Sequence, residues 1–198
     1  MAAQTLLTRS LREHLASAQA LLDSKLLEIE QTGQLICQTL LAGKKILICG
    51  NGGSAADAQH IAAELVGRYE EQRRAWPAIA LTTDTSALTA LSNDYGYEEV
   101  FSRQVQALAT PNDLLIAIST SGQSANVIRA AQKARELGCK VIALTGADGG
   151  QLSALCDLTL SVPSARTARV QELHITIGHL WCEMVDDMSK GQRAKGEE

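Results

Sequence analysis

The N-terminal part of the chain, from about Leu6 to Ala42, carries apolar residues at the spacing of one helix face. No proline interrupts this stretch, and Gly43 follows it in the manner of a C-cap. The pattern predicts two helices, or one helix broken near Asp23 and Ser24. Such an arm can pack against another subunit or cover the sheet of its own chain, and the pattern leaves both open. The apolar positions are Leu7, Leu11, Leu15, Ala18, Leu22, Leu26, Ile29, Ile36 and Leu40.

Beyond Gly43 the pattern changes to short apolar runs that alternate with helical stretches. Continuous apolar runs are typical of parallel strands buried on both faces, and the alternation predicts an α/β fold: a doubly wound, mainly parallel five-stranded sheet flanked by helices. The predicted strands are Lys45–Cys49, Ala78–Leu81, Asp113–Ile118, Lys140–Leu144 and Leu158–Val162. The predicted helices are Ala55–Tyr69, Ser86–Ser92, Glu98–Leu108, Ala125–Leu137, Gln151–Leu155 and Ala168–Met188.

The length and the lack of a linker or repeat predict one structural domain. Within it we expect a helical arm (1–43), an α/β body (44–190) and a polar, frayed tail (191–198). The formal charge of −4, the scattered Lys and Arg residues and an aromatic content of 3% argue against a nucleic-acid partner.

The cysteines lie far apart, without a Cys-x-x-Cys pair, and most stand inside apolar runs. This pattern predicts buried free thiols rather than a disulfide framework or a thiolate zinc site. The N-terminus lacks the pattern of a signal peptide, and no apolar run is long enough for a membrane span. We therefore expect a cytoplasmic protein without a membrane partner. The cysteines are Cys37, Cys49, Cys139, Cys156 and Cys182.

A glycine-rich turn, Gly50-Asn51-Gly52-Gly53-Ser54, follows the first predicted strand and opens a helix that Ser54 can cap. Ligands of doubly wound folds bind beyond the carboxyl ends of the strands, so the turn is either a ligand loop or a tight βα connection. Its glycine spacing matches neither the dinucleotide fingerprint nor a P-loop. A nucleotide-dependent activity is thus poorly supported.

A second turn, Ser119-Thr120-Ser121-Gly122-Gln123-Ser124, follows the third predicted strand and precedes a helix. Four hydroxyls, backbone N–H groups and a helix N-terminus converge there, which predicts a neutral cradle for a phosphate dianion. The competing interpretation is an over-supplied helix cap. Asn93-Asp94, predicted to lie in a turn between helices, and the turn from Thr145 to Gly150 are interpreted as mainly structural.

His60 and Glu64 stand four residues apart, on one face of the helix that starts at the glycine turn. On the last helix, Gln171 and His179 are about 80° and roughly 12 Å apart, so they can reach one ion only with extended side chains. His174 lies about 140° from His179 and cannot easily share its site. We treat His14, in the arm, as structural. His60, Glu64 and His179 can supply an acid, a base and zinc-type ligands, but their spacing alone also fits a semi-buried pair without metal.

Several of these motifs, taken in order, resemble the sugar isomerase (SIS) domain of the phosphoheptose isomerases. The resemblance extends over nearly the whole chain beyond Gly43, and it is specific because several motifs occur in register. The motifs are Cys49 to His60, Ser92 to Tyr95, Ile118 to Gly122 with Ser124 to Ile128, Leu144 to Gly146, and Val170 to His179.

The resemblance implies isomerisation of sedoheptulose 7-phosphate to D-glycero-D-manno-heptose 7-phosphate, at the entry to heptose synthesis for bacterial lipopolysaccharide. It implies Glu64 as the base and His179 as the acid. It also implies one zinc ion per subunit and a homotetramer with sites between subunits, to which the N-terminal helices contribute. By position, the phosphate would be held by Ser119, Thr120, Ser121 and Ser124. The sugar would be lined by Asn51, Gly52, Gly53, Ser54, Asn93 and Asp94, together with Glu64 and Gln171. The zinc would be held by His60, Glu64, Gln171 and His179.

The family also includes non-catalytic relatives, among them a regulator that binds a replication initiator protein as a tetramer. Such a regulator needs the fold and its surface, but neither the acid nor the base. The presence of Glu64, Ser121 and His179 together favours the enzyme. Gln123 departs from the family's usual Asn, and a phosphate contact through the backbone would not be affected.

Overall fold

The computed structural model describes residues 2–196 and contains the five predicted strands. The strands are β1 (Ile46–Gly50), β2 (Ala78–Ala80), β3 (Leu114–Ser119), β4 (Lys140–Thr145) and β5 (Leu158–Ser161). The helices are α1 (Ala2–Leu41), α2 (Gly53–Val66), α3 (Thr85–Tyr95), α4 (Val100–Leu108), α5 (Ala125–Glu136), α6 (Gly150–Ser153) and α7 (Thr167–Gly196), with a 3₁₀ turn at Tyr97–Glu99 between α3 and α4.

All neighbouring strands pair in parallel, in the order β2-β1-β3-β4-β5. Ile48 of β1 lies beside Ala80 on one side and Ile116 of β3 on the other. The predicted doubly wound fold is therefore confirmed. From β1 the chain first adds β2 on one side of the sheet and then adds β3, β4 and β5 on the other side. Open α/β sheets bind ligands at such a switch point, which here lies between β1 and β3.

Alternate residues of the strands pack into two separate layers. Ile46, Ile48 and Ile116 face α1, α2 and α7, whereas Leu47 and Leu115 face α4 and α5. Because both faces are covered by helices, nearly every residue of β1, β3 and β4 is buried, which explains their continuous apolar runs.

The N-terminal arm is one unbroken helix, so the predicted break near Asp23 and Ser24 is wrong. The Asp23 carboxylate accepts a hydrogen bond from Gln19 Nε2 at 2.8 Å, and the Ser24 hydroxyl donates to the Ala20 carbonyl at 2.7 Å. Both polar side chains are thus satisfied along the helix itself, and no Pro or Gly interrupts it there. Along its buried side α1 packs on α7, and Ile36 and Leu40 enter the core.

Helix α7 also runs further than predicted, because residues beyond Met188 continue it as far as Gly196. Residues 197–198 of the predicted tail lie outside the described residues, and the division into arm, body and tail stays a prediction.

All five cysteines are free thiols, as predicted; Cys49, Cys139 and Cys182 are buried and the other two partly so. In the part of the chain that the structure describes, no helix is long and apolar enough to cross a membrane.

Candidate functional site

The two predicted ligand turns lie side by side, because they follow the adjacent strands β1 and β3. In the first turn, α2 begins at Gly53, and Gly52 occupies the N-cap position with a φ of 56°. Ser54 is buried inside the first helical turn and makes no capping bond, so its predicted capping role is wrong. The start of α2 has no side-chain cap; instead, the Ser54 and Ala55 N–H groups donate to the backbone carbonyls of Asn51 and Gly52 at 3.0 and 3.1 Å.

In the second turn, the hydroxyls do not cap the helix that follows. Ser124 is the N-cap residue of α5 but makes no side-chain capping bond; its Oγ lies 3.0 Å from Ser119 Oγ. The Ser121 hydroxyl accepts from the Gln123 backbone N–H at 3.2 Å. The hydroxyls of this turn therefore do not serve as helix caps. An anion, which needs N–H and O–H donors, fits the turn better than the helix-cap interpretation does.

The turn after β4 packs directly on this second turn. Gly122 has a φ of 63°, and a Cβ there would lie 2.1 Å from the Gly149 carbonyl oxygen. The Gly122 carbonyl in turn accepts from Leu152 N at 3.1 Å. The predicted structural role of the Thr145–Gly150 turn therefore has a physical basis in backbone contact.

The same turn also forms a wall of a cavity of about 370 Å³ beside the second turn. Thr120 and Ser121 form another wall, and the start of α7 closes it. The cavity reaches the second turn through Thr120 and Ser121, and its lining does not include the His60, Glu64 and His179 side chains. Its remaining lining residues are Gly146, Ala147, Asp148, Ser164, Ala165, Thr167 and Val170.

The predicted acid, base and neighbouring imidazole come together between α2 and α7. His60 Nε2 lies 2.9 Å from His179 Nε2 and 3.5 Å from Glu64 Oε1. Two imidazole nitrogens at this distance share one proton, so one ring donates and the other accepts. The Tyr69 ring lies against His179, with 5.5 Å between the ring centroids. The cluster is partly exposed, as a site open to substrate must be.

Gln171 is oriented by Asp57, a residue that the sequence analysis did not single out. Gln171 Nε2 donates to Asp57 Oδ1 at 2.7 Å, so the Gln171 amide oxygen is the atom left free. Burial raises the pKa of the Asp57 carboxyl, while the Gln171 bond and the nearby His60 oppose that rise. The other Asp57 oxygen, Oδ2, is buried and has no partner among the described residues.

A buried ion pair between Arg73, in the segment after α2, and Asp186 of α7 links these two parts of the chain. Arg73 Nε donates to Asp186 Oδ1 at 2.7 Å, and its guanidinium also donates to the backbone carbonyls of Glu64 and Leu65. The last turn of α2, which carries Glu64, is thereby fixed to α7.

Asn51 of the glycine turn bonds two residues that the sequence analysis did not assign to the site. Its amide pairs reciprocally with that of Asn126, and the Tyr97 hydroxyl donates to its oxygen. Asn126 belongs to one of the motifs named in the sequence analysis, but only the fold brings it opposite Asn51.

Asn93 and Asp94 lie in the last turn of α3, so their predicted place in a turn between helices is wrong. Asn93 Nδ2 donates to Asp94 Oδ1 at 2.9 Å.

The remaining histidines lie outside the cluster. His174 is fully buried and bonds the Thr145 carbonyl through Nε2 at 3.0 Å. His14 Nδ1 lies 2.7 Å from Glu172 Oε2, which links α1 to α7 and gives His14 a structural contact.

Comparison with known proteins identifies the family. The family model described as the SIS domain matches residues 11–146. A phosphoheptose isomerase from Aliarcobacter butzleri is 61% identical over 159 residues, covering 80% of this chain and 84% of the relative. This chain belongs to the phosphoheptose isomerase family of SIS domain proteins.

Solved structures of the family have the same architecture. The phosphoheptose isomerase from Neisseria gonorrhoeae is 47% identical with a TM-score of 0.89, covering 93% of this chain and 99% of that one. The enzyme from Francisella tularensis is 36% identical with a TM-score of 0.91, covering 94% and 100%.

The zinc ion that the family resemblance implies can be tested against the donors of this chain. Two imidazole nitrogens, a carboxylate and the Gln171 amide oxygen are ligand types that zinc accepts. Tetrahedral zinc places two nitrogen ligands about 3.3 Å apart, so the rings of His60 and His179 would have to separate slightly. As the side chains stand, no group of three or more His, Cys, Asp or Glu residues within the described residues is placed to hold a metal. The imidazole and carboxylate donors are of a chemical type that zinc accepts, but the described side chains as they stand form no metal site, and zinc binding stays a prediction.

Proposed function

We propose that this chain isomerises sedoheptulose 7-phosphate to D-glycero-D-manno-heptose 7-phosphate through an enediol. Its family membership makes it an aldose–ketose isomerase acting on a heptose phosphate. The observation that carries the finer proposal is the cluster between α2 and α7. There a carboxylate and an imidazole from two different helices gather around His60.

The phosphate would bind in the second turn. Ser119, Thr120, Ser121 and Ser124 would donate their hydroxyl protons, and the N-terminus of α5 would add its backbone N–H groups and helix dipole. The sugar would lie against Asn51, Gly52, Gly53 and Ser54, with Asn93 and Asp94 from α3. Anchoring by the phosphate supports proton transfer because it fixes the reacting carbons relative to the acid and the base.

In the chemical step, Glu64 would remove a proton from C1, next to the C2 carbonyl. His179 would donate a proton to the C2 oxygen, and the enediol forms. Return of a proton to C2 and loss of the C1 hydroxyl proton give the aldehyde, so no atom is gained or lost. His60, Glu64, Gln171 and His179 would hold a zinc ion, which supplies polarisation of the carbonyl oxygen when bound.

We propose a homotetramer as the assembled form. Its support lies towards the N-terminus of α1, where leucines spaced at about one helix turn are exposed. They continue the helix face on which Ile29, Ile36 and Leu40 are buried further along α1. Leu11 and Leu15 are each 66% exposed, and such a stripe is an unfavourable surface for a free subunit. The other leucines of the stripe are Leu7, Leu22 and Leu26.

The proposal is tested by incubating the protein with sedoheptulose 7-phosphate, with added zinc or a chelator, and following the aldoheptose by NMR. We expect turnover by the wild type. Because general acid–base groups contribute about 10²–10⁴-fold, Glu64→Gln and His179→Gln should each lower kcat by about 100-fold or more. Thermal stabilisation by inorganic phosphate should survive in both variants, because the phosphate turn is unchanged.

Glu70→Gln and His14→Gln are the matched controls, with the same chemical changes outside the cluster, and both should keep wild-type kcat. Absence of turnover under every metal condition would contradict the enzyme and favour the non-catalytic, protein-binding alternative. Turnover by both Glu64→Gln and His179→Gln would instead show that the roles are misassigned while the function stands.

A further inference from the structure

Three side chains from three different parts of the fold, Asn51, Asn126 and Tyr97, form one hydrogen-bonded group. Asn51 Nδ2 donates to Asn126 Oδ1 at 2.9 Å, and Asn126 Nδ2 donates back to Asn51 Oδ1 at 2.8 Å. Tyr97, in the 3₁₀ turn after α3, donates its hydroxyl proton to Asn51 Oδ1 at 3.0 Å. Asn126 lies on the first turn of α5, directly after the phosphate turn, and is only 3% exposed. The group therefore joins the two ligand turns of the site.

The hydrogen bonds themselves determine which way both amides face. The Val127 backbone N–H can only donate, and it donates to Asn126 Oδ1 at 3.0 Å, so this atom is the oxygen. The other Asn126 terminal atom is then the nitrogen, which must donate to an oxygen of Asn51. The chain of bonds that starts at the Val127 N–H thus orients Asn51 as well.

The hydrogen-bonding capacity of Asn51 is nearly used up by these contacts. A side-chain amide oxygen has two lone pairs, and Asn126 and Tyr97 occupy both. The nitrogen has two N–H groups, of which one is bonded to Asn126. One N–H remains on a residue that is partly exposed.

We propose that Asn126 and Tyr97 are positioning residues that hold the Asn51 amide so that it offers a bound sugar phosphate one N–H donor and no acceptor. This rests on the proposed function, since it assigns a role within the same site. Asn51 then selects an oxygen that can accept, such as a carbonyl, hydroxyl or phosphoryl oxygen. Without its two partners the amide could rotate and present its oxygen, which would repel a carbonyl or phosphoryl oxygen of the ligand.

Tyr97→Phe is the cleaner test, because Tyr97 is 55% exposed and loses only its hydroxyl. One lost orienting bond should weaken the Kd for sedoheptulose 7-phosphate about threefold to tenfold, and raise KM similarly with little change in kcat. Tyr95→Phe is the matched control: Tyr95 is 53% exposed, lies two residues away, and contacts Arg103 through its ring rather than its hydroxyl. Its Kd should stay at the wild-type value.

A double-mutant cycle separates positioning from a general structural role. Asn51→Ala should weaken binding, and Tyr97→Phe added to Asn51→Ala should change the Kd no further, because its effect passes through Asn51. Asn126→Asp is the second variant: it keeps both acceptor contacts and loses the donor to Asn51 Oδ1. The negative charge that Asn126→Asp adds affects the Kd both with Asn51 present and in Asn51→Ala. The positioning effect is therefore the part of the change in Kd that is seen with Asn51 present and is lost in Asn51→Ala.

Kd is measured by equilibrium titration, which needs no turnover. Wild-type binding without turnover would overturn the proposed function, and the same cycle would still judge the positioning proposal. An unchanged Kd in Tyr97→Phe, or an effect that adds fully to that of Asn51→Ala, would overturn the positioning proposal alone. Absence of binding by the wild type would overturn both.

Discussion

His174 is a fully buried imidazole whose two nitrogens have different surroundings. Its Nε2 donates to the Thr145 carbonyl at the end of β4, and Nδ1 has no partner among the residues that the structure describes. Burial lowers the pKa of His174 to about 4, while the bond to Thr145 opposes that effect. A second proton would place an unsatisfied N–H in the core, so the neutral ring is favoured in the folded state.

The depressed pKa gives a prediction about stability in acid. The contribution of His174 is fully present above the ordinary histidine pKa of about 6.5 and is lost as the pH falls towards 4, since the unfolded chain takes up the proton first. The loss should reach about 3 kcal/mol. Urea unfolding of the wild type at fixed protein concentration should show this decrease in the free energy of unfolding as the pH falls. His174→Gln should have a lower free energy of unfolding at pH 7, and that free energy should change less between pH 6.5 and 4 than it does in the wild type. Equal slopes in the wild type and His174→Gln would contradict the prediction.

Single residues of the site were predictable where the local pattern was unusual. Four hydroxyls around Gly122, and His60 four residues before Glu64, could be recognised without a fold. Asp57, Tyr97 and Asn126 could not, because each gains its role from a partner that is distant along the chain. Asp57 meets Gln171 across 114 positions, for example.

At the scale of elements, the Ser119–Ser124 turn depends on the turn that follows β4. Gly122 combines a φ of 63° with the lack of room for a Cβ against Gly149. Gly43 at the end of α1 has a similar φ of 72° but open space around it. The two glycines therefore separate backbone strain from close packing.

Gly122→Ala should suffer both the backbone strain of a positive φ and the steric clash of the new Cβ with Gly149. Gly43→Ala should suffer only the backbone strain. We expect Gly43→Ala to lose about 1–2 kcal/mol of unfolding free energy and to bind sedoheptulose 7-phosphate normally. Gly122→Ala should lose more, and its Kd should rise about tenfold or more because the turns must separate. Urea unfolding and ligand titration of the two variants give the comparison. Normal binding by Gly122→Ala would show that the turn tolerates the movement.

The elements themselves were largely predictable, and the errors have local causes. The strands were visible because both faces of the sheet are covered, which makes their sequences continuously apolar. The predicted break near Asp23 and Ser24 is absent, because the helix satisfies both polar side chains along its own length. Asn93 and Asp94 resemble turn residues, yet α3 continues through them to Tyr95.

At the scale of the whole molecule, the exposed leucine stripe of α1 predicts assembly. Light scattering should give the mass of a tetramer for the wild type. Leu11→Gln with Leu15→Gln should shift the protein to smaller species, because burial of two leucines is lost from the contact. Leu108→Gln is the control, since Leu108 is 40% exposed on α4, at the opposite face of the sheet. A monomeric wild type, or a tetramer unaffected by the double substitution, would contradict this assignment of the interface.

The amino-acid sequence by itself determined the α/β class and the five strands, because these depend on local periodicity. The glycine and hydroxyl content near two strand ends located two turns, and their role in ligand binding stays a prediction. The sequence also determined the family, through several motifs in register. Only the tertiary structure decided that β1 and β3 are neighbours, which brings the two turns together, and that α2 and α7 place His60 beside His179. The same holds for the hydrogen bonds of Asn51 with Asn126 and Tyr97. Such contacts depend on how distant elements pack, and the local sequence around each residue carries no record of its partner.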